Sequence, residues 1–168
     1  MIDIVILFIL NKYDATIYRL SKIIDELFFA YLKSSTGTLN PALKRLENMG
    51  CVEHCEKMSD GGMLSKIYSI TPAGKKHLSQ SLQMFNTTNP YHIINEAKIA
   101  LFCSSVLSVN ELISFKENIL NHLELHKIKL EKGLKSEYIT LDDLQKKTVE
   151  ITIAELDGLI KLLWLKQT

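Results

Sequence analysis

The first fifty residues carry apolar side chains at helical spacing. A first helix is predicted by a repeat every three or four residues at Ile2, Val5, Ile6, Ile9 and Leu10. A second stripe with the same spacing predicts a helix that ends near Phe28; its apolar positions are Ile17, Leu20, Ile23, Ile24, Leu27 and Phe28. Asp14 is the expected N-cap of this helix, because its carboxylate can accept from free amides of the first turn.

A third helix is predicted to follow a polar turn over residues 30–38 and to end at Met49. Its apolar face is expected to hold Leu39, Ala42, Leu43, Leu46 and Met49. Gly50 follows directly, and glycine is the residue that most often ends a helix in the left-handed conformation.

The pattern then changes from helical to alternating. Residues 51–58 and 66–70 alternate partly between apolar and polar, and a Ser-Asp-Gly-Gly cluster at 59–62 marks a turn between them. These segments predict a two-stranded hairpin that packs on the helices through Val52, Ile67 and Ile70. Thr71 and Pro72 then predict the N-cap and first residue of another helix. This order of elements is that of a winged helix-turn-helix domain, which we expect over residues 1–85.

Residues 91–168 are predicted to be almost entirely helical. One helix begins at Ile93, a long one of about 25 residues follows, and a last one comes after a break near 138–140. Two or three helices cannot cover apolar faces this broad, so we expect a second copy of the chain to do so. The candidate dimerisation residues are Leu144, Ile151, Leu159, Leu162 and Leu163.

The expected fold class is therefore mostly α. It combines a winged helix-turn-helix, made of three helices plus a two-stranded wing, with a long-helix C-terminal dimerisation region.

Composition narrows the class of protein further. The chain has 168 residues, 46% hydrophobic content and a net charge of +1, which excludes intrinsic disorder and a generally polybasic protein. The apolar N-terminal run is half the length of a membrane span of about 20 residues, so we expect a buried helix in a soluble, cytoplasmic protein. No metal or cofactor is expected from the cysteine and histidine spacing, which involves Cys51, Cys55, Cys103, His122 and His126.

The third helix combines buried leucines with a polar side suited to DNA. Small hydroxyls and free amides near a helix N-terminus bind phosphate oxygens. Asparagine pairs with adenine, and lysine or arginine reaches guanine or phosphate. Taken alone, such residues are often only caps and solvated charges, but the following stop glycine and hairpin favour DNA recognition. The candidate contacts are Ser35, Thr36, Thr38, Asn40, Lys44 and Arg45.

Pro41 leaves two possible starts for this helix. Proline has no amide hydrogen and fits best in a first turn, which would make Asn40 the N-cap. Alternatively, the helix begins near Ser35 and lacks one internal hydrogen bond. The choice decides which side chains face a DNA groove.

The segments GTLNPALKRLENMGCVE and KIYSITPAGKKHL resemble the PadR family of transcriptional regulators. Members typically show a TLYPAL-(K/R)-RLE-x-x-G-L-V segment, then a wing with Gly-Arg, then Y-x-(I/L)-T-x-x-G. The opening IDIVILFILNKYDATIYRL is similar to the first two helices of that family. The resemblance covers essentially the whole chain, with an architectural match in the C-terminal helices.

The resemblance implies a homodimeric, DNA-binding regulator of the repressor type. Its paired recognition helices would enter successive major grooves about 34–36 Å apart, and its C-terminal helices would form the dimer. Wing contacts would lie between Gly61 and Lys66. The recognition-helix contacts carried over by position are Ser35, Thr36, Thr38, Asn40 and Lys44.

Two residues depart from the family pattern. Asn40 stands where the family usually has tyrosine, and Met63 stands where the wing usually has arginine, which leaves Lys66 as the wing cation. Residues 1–78 hold ten Lys and Arg against eight Asp and Glu. We therefore expect modest DNA affinity that depends on few phosphate contacts.

Several aromatic residues admit more than one role. Tyr18 is expected either to donate its hydroxyl to a DNA phosphate or simply to pack. Trp164 and Phe102 are candidate lining residues of a pocket for an unknown small effector, although packing is the commoner role of such a tryptophan. Positions expected in the core or across the hairpin are Phe28, Phe29, Phe102 and Tyr68.

The sequence contains no glycine-rich phosphate loop, HExxH segment or nucleophile elbow, so an enzyme is not expected. The leading interpretation is a transcriptional repressor that binds double-stranded DNA as a homodimer, with an unknown effector left open. The alternative is a winged-helix protein-interaction module that does not bind specific DNA. Salt-sensitive binding to random duplex would separate these two classes.

Overall fold

The computed structural model describes residues 1–58, 64–86, 91–138 and 140–165. Within these ranges the protein has a three-stranded antiparallel sheet and is otherwise mostly helical. The strands are β1 (Ala15–Thr16), β2 (Val52–Met58) and β3 (Leu64–Ile70). The helices are α1 (Ile2–Leu10), α2 (Ile17–Leu27), α3 (Thr36–Asn48), α4 (Pro72–Gln83), α5 (Ile93–Cys103), α6 (Val109–Leu134) and α7 (Asp143–Trp164), with a short 3-10 turn at Ser104–Val106.

The winged helix-turn-helix and the long C-terminal helices confirm the expected fold class. The hairpin of β2 and β3, called the wing below, follows α3 as the sequence predicts. α6 has 26 residues, close to the predicted length.

α1 lies at the centre of the N-terminal half and packs against α2, α3, α4 and α5. Six of its nine residues, Val5 through Leu10, are buried. Because neighbours surround it, the helix is apolar nearly throughout rather than along one stripe. The expected buried first helix is confirmed. No helix in the described part of the chain is long and apolar enough to cross a membrane.

The start of α2 differs from the expectation. Ala15 and Thr16 form a short strand that pairs with β3, so the sheet has the order β1-β3-β2 and three strands instead of two. Thr16, rather than Asp14, caps α2, because its hydroxyl accepts from the Arg19 amide at 3.2 Å. A strand of two residues shows no alternation, so the sequence pattern did not reveal it.

Three residues assigned to apolar faces lie at the surface instead. Phe29 is 78% exposed, and Leu27 and Met49 are about half exposed, whereas Phe28 is fully buried. Because α2 ends at Leu27, Phe29 lies beyond the helix and is not held on its buried face.

A T-x-x-G segment ties α4 to the end of α3 and confirms the predicted N-cap. Thr71 Oγ1 accepts from the Gly74 amide at 3.0 Å and donates to the Gly50 carbonyl at 2.6 Å. A Cβ on Gly74 would lie 2.0 Å from the carbonyl oxygen of Cys51, so only glycine permits this close approach. Gly50 has φ of +68°, as expected for the residue that stops α3.

α6 and α7 pack against each other as an antiparallel pair. Lys116, early in α6, donates to the Leu165 carbonyl at 3.4 Å, whereas Lys127, further along α6, contacts Asp157 of α7 at 2.6 Å. The hydrogen bonds and charges of Asp157 and Glu131 raise the pKa of Lys127. α5 precedes this pair and packs on α1, which connects the two halves of the chain.

The three cysteines are free thiols. Cys51 and Cys103 are buried and Cys55 is exposed. Burial raises the pKa of the Cys103 thiol to about 12, so this group stays protonated and serves as packing.

Candidate nucleic-acid interface

α3 begins at Thr36 with Ser35 as its N-cap, which decides between the two starts left open by Pro41. Ser35 Oγ accepts from the Thr38 amide at 3.2 Å, and Thr38 Oγ1 accepts from the Ser35 amide at 3.0 Å. This capping box satisfies two backbone amides. Pro41 lies inside the helix, so the Gly37 carbonyl lacks its intrahelical donor.

The polar residues of α3 lie opposite its buried stripe. Leu39, Ala42, Leu43 and Leu46 face the core. Since successive helical residues are turned by about 100°, the opposite side is centred on Lys44. Lys44 forms no ion pair with another described residue. The exposed residues on this side are Gly37, Asn40, Pro41, Lys44 and Asn48, and Thr36 is exposed at the first residue of the helix.

An ion pair and a carboxylate–imidazole contact hold the flanks of this exposed side. Arg45 Nε and Nη2 donate to the two carboxylate oxygens of Asp3 in α1, at 2.9 and 2.5 Å. On the other flank, the Glu47 carboxylate contacts Nδ1 of His54 in β2. The hydrogen bond and charge of Asp3 raise the pKa of Arg45. α3 is thus fixed between α1 and the wing, and the predicted contact Arg45 is already engaged by Asp3.

Tyr18, at the second residue of α2, is 69% exposed. The ammonium of Lys22 lies 5.6 Å from the centre of its ring. Tyr18 is therefore not packed into the core of the protomer, and its phenol hydroxyl is accessible at the surface.

The wing is anchored at its base and balanced in charge along its length. Val52 and Tyr68 are buried, whereas Ile67 and Ile70, which were expected to anchor the hairpin, are only partly buried. Lys66 of β3 lies directly opposite Glu56 of β2, so the predicted wing cation faces an acidic residue. The rest of the predicted wing contact, at residues 61–63, falls outside the described residues.

The predicted dimerisation residues separate into two groups. Leu159 and Leu163 are buried within the protomer, so they are core residues of the single chain. Leu144, Ile151 and Leu162 are at least half exposed. These three are seven and eleven residues apart, a heptad-type spacing that places them along one face of α7.

Phe102 and Trp164 line different clefts in the described protomer. Phe102 was expected in the core but is about half exposed, and its ring meets Phe8 and Phe28 edge-on at centroid distances of 5.7 and 4.9 Å. Trp164 lines a groove of 330 Å³ between α6 and α7, together with Ile113.

His122 and His126 follow one face of α6 but serve as local packing groups. The His122 ring lies 5.8 Å from that of Phe85. Burial lowers the pKa of His126. Within the described ranges, no three His, Cys, Asp or Glu side chains converge as a metal site would require.

Comparison with protein families supplies an independent result. A sequence profile described as the transcriptional regulator PadR-like family matches residues 6–80, which include α3, the wing and most of α4. No curated protein matches the chain.

Solved structures include several similar chains. A PadR family transcription regulator from Clostridium difficile is 33% identical, over 49% of this chain and 83% of its own, with a TM-score of 0.43. A PadR-like transcription factor from Bacteroides fragilis is 28% identical, over 46% and 73%, with a TM-score of 0.42. PadR from Bacillus subtilis, solved in complex with operator DNA, is 16% identical, over 96% and 93%, with a TM-score of 0.48.

The profile match covers the two segments whose residues first pointed to this family. The relative from Clostridium difficile exceeds 30% identity over most of its own length. The chain belongs to the PadR-like family of transcriptional regulators.

Proposed function

We propose that this protein is a homodimeric repressor that recognises a specific double-stranded DNA sequence through the exposed side of α3. The observation that supports this most is the way α3 is held. Its flanks are tied to α1 by Arg45 and to the wing by Glu47, while Asn40 and Lys44 are exposed on the outward side and form no hydrogen bond or ion pair with another side chain in the described part of the chain. A helix presented in this way is ready to enter a major groove.

The outward residues divide into base contacts and phosphate contacts. Asn40 pairs through its amide with adenine, and Lys44 donates to guanine. The free amides at the start of α3 and the Thr36 hydroxyl bind phosphate. Tyr18 and Lys66 add phosphate contacts from α2 and the wing.

Ser35 and Thr38 have a structural role here instead of the direct DNA contact that the sequence analysis expected of them. Their hydroxyls already bond to each other's backbone amides in the capping box. They therefore act by holding the first turn of α3 in place, so that its remaining amides point at the phosphate.

Two copies of the chain are joined in this proposal by the exposed face of α7. Residues 1–85 form the DNA-binding domain and residues 91–168 the dimerisation domain. Leu144, Ile151 and Leu162 cover one another across the symmetric interface, which removes apolar surface from water. The pairing presents two α3 helices to successive major grooves, about 34–36 Å apart.

An effector has two candidate places in the protomer. These are the cleft beside Phe102, which includes Lys12 and Arg19, and the groove beside Trp164. The fluorescence of Trp164, the single tryptophan of the chain, reports directly on ligands in the second groove.

Selection from a random duplex library, followed by binding measurements on the selected site, tests this function. We expect Lys44→Ala and Asn40→Ala each to weaken the selected site by about 10- to 100-fold. Lys146→Ala and Asn121→Ala, which remove the same residue types at exposed positions of α7 and α6, serve as controls.

Salt dependence separates a regulator from a protein-interaction module. We expect binding to random duplex at low salt, with a slope of log affinity against log salt shallower than about −8, because few phosphates are contacted. Failure to bind any duplex at low salt would overturn the proposed function and favour the protein-interaction alternative.

A further inference from the structure

α3 carries two neighbouring basic residues whose surroundings differ. Lys44 is exposed and forms no ion pair with another described residue. Arg45 donates from Nε and Nη2 to both carboxylate oxygens of Asp3 in α1, at 2.9 and 2.5 Å. The side chain of Arg45 is 50% exposed and that of Asp3 is 28% exposed. The pair therefore lies at the surface, and its net charge is zero.

Helix geometry places Arg45 on a flank of the outward side of α3. Successive helical residues are turned by about 100°, so Arg45 projects about 100° round the helix from Lys44, towards α1. A helix with its side chains is about 10–12 Å wide, and the major groove is about 12 Å wide. When Lys44 points at the bases, a side chain on the flank therefore faces a sugar–phosphate wall.

The ion pair withholds the charge of Arg45 from that wall. A cation that neutralises one phosphate contributes about −0.9 to the slope of log affinity against log salt, which is about eightfold in affinity between 1 M and 0.1 M salt. A guanidinium that a carboxylate already neutralises releases no such counterion. Asp3 occupies two of its five N–H donors. The others could still donate to a phosphate, but this mainly exchanges hydrogen bonds with water, so the loss of charge is the larger effect.

The wing repeats this arrangement of a basic residue facing an acidic one. Lys66 of β3 lies directly opposite Glu56 of β2. Of the basic residues expected to contact DNA, Arg45 and Lys66 thus face a carboxylate, whereas Lys44 forms no ion pair with any residue in the described ranges. The positive charge offered to DNA is concentrated at the position that reads bases.

We propose that Asp3 limits the sequence-independent affinity of this protein for DNA by holding Arg45 in an ion pair. The inference rests on the proposed function and adds a restraint to it. Asp3 acts through Arg45 and is a positioning residue. Because phosphate contacts carry no sequence information, the restraint lowers the affinity for random and selected duplexes by the same factor. The protein leaves random DNA sooner, while base recognition by Asn40 and Lys44 is unchanged.

The test compares three full-length proteins on the selected duplex and on random duplex of the same length: the wild type, Asp3→Asn and Asp3→Asn/Arg45→Gln. Asp3→Asn frees the guanidinium. We expect both affinities to rise about three- to tenfold at 0.1 M salt, with a slope that is steeper by up to about 0.9. The double variant replaces a neutral ion pair with two neutral amides, so it should bind with the affinity and the slope of the wild type.

Two further variants serve as controls. Asp3→Glu keeps the carboxylate and should bind as the wild type does. Glu124→Gln removes one negative charge at an exposed position of α6, so it measures the effect of net charge alone and should leave both affinities nearly unchanged. Thermal unfolding of all variants should match that of the wild type, because exposed ion pairs contribute little to stability.

The outcomes distinguish this inference from the proposed function. If Asp3→Asn binds both duplexes as the wild type does, the restraint is overturned and the function stands. A double variant that binds more weakly than the wild type also overturns it, because the ion pair then supports a DNA contact by Arg45. A double variant that keeps the gain of Asp3→Asn overturns it too, since the gain then does not pass through Arg45. A wild type that binds no duplex overturns the proposed function itself.

Discussion

The winged half of the protein and its two long C-terminal helices use apolar residues in different ways. α1 buries six of its nine residues, whereas α6 buries three of 26 and α7 three of 22. The first region buries most of its apolar residues within the protomer and leaves mainly polar residues exposed on α3. The second region leaves part of its apolar surface uncovered, since Leu144, Ile151 and Leu162 remain exposed.

The two regions are joined by a polar cluster between α4 and α6. Glu111 accepts from the Ser79 hydroxyl and, at 3.3 Å, from the Gln83 side-chain amide. Asn118 donates to the backbone carbonyls of Gln83 and Phe85 at 2.9 and 2.8 Å. Hydrogen bonds are directional, so this cluster helps to fix the orientation of α4 relative to α6.

The largest effect is expected from disrupting the proposed dimer interface on α7. Ile151→Asp would bury a carboxylate without a partner on each chain, at about 3–5 kcal/mol apiece. We expect the dissociation constant of the dimer to rise by about a thousandfold or more, and sedimentation at micromolar concentration to show monomers.

A matched variant and the wild type complete this test. Lys146→Asp places a carboxylate on another side of α7 and should leave the dimer intact, since Lys146 is exposed and away from the line of Ile151. A wild-type protein that is already monomeric at micromolar concentration would contradict the dimer.

A cavity in the core of the winged half should have the next largest effect, in this case on the free energy of unfolding. Leu46 lies on the buried face of α3 and is fully buried. Leu46→Ala should therefore lower the free energy of unfolding by about 2–5 kcal/mol. Met49→Ala, one turn later at a half-exposed position, should cost less than about 1 kcal/mol. Urea denaturation at one protein concentration measures the free energy of unfolding of both variants. Equal losses for Leu46→Ala and Met49→Ala would show that Leu46 contributes no more to the core than a half-exposed residue does.

The smallest effect is expected at the polar cluster. Hydrogen bonds from Ser79, then from Ser108 and Gln83, lower the pKa of Glu111 from 4.5 to about 2. A carboxylate with a lowered folded-state pKa contributes stability above its ordinary pKa and loses it as the pH falls towards the lowered value. The melting temperature of the wild type should therefore fall more between pH 5 and 2 than that of Glu111→Gln.

Glu117→Gln, an exposed change on the same helix, is the control for this measurement. Its melting temperature should follow the wild-type curve over the same pH range. If the melting temperatures of the wild type and Glu111→Gln fall in parallel with pH, the cluster makes no pH-dependent contribution to stability.

Much of the fold could be predicted because the periodicity of apolar residues reports which side of an element is buried. The stop at Gly50, the cap at Thr71 and the length of α6 all follow from local chemistry. The outward side of α3 was also predictable, since its stripe of Leu39, Ala42, Leu43 and Leu46 leaves one face for polar groups.

The arrangement of the candidate site depends on contacts that local pattern cannot contain. Arg45 meets Asp3 across 42 residues, and Glu47 meets His54 on a different element. The sequence showed these four side chains, but it did not show that they would pair while Lys44 remained exposed.

The sequence alone thus determined the helices, the hairpin of β2 and β3, the buried stripe of α3 and the family, because these depend on residues close together in the chain. Tertiary structure decided that Leu159 and Leu163 belong to the protomer's core while Leu144 and Ile151 do not. It also decided that Ser35 caps α3 despite Pro41. These outcomes depend on which distant elements meet, and burial by a distant neighbour leaves no local periodic signal.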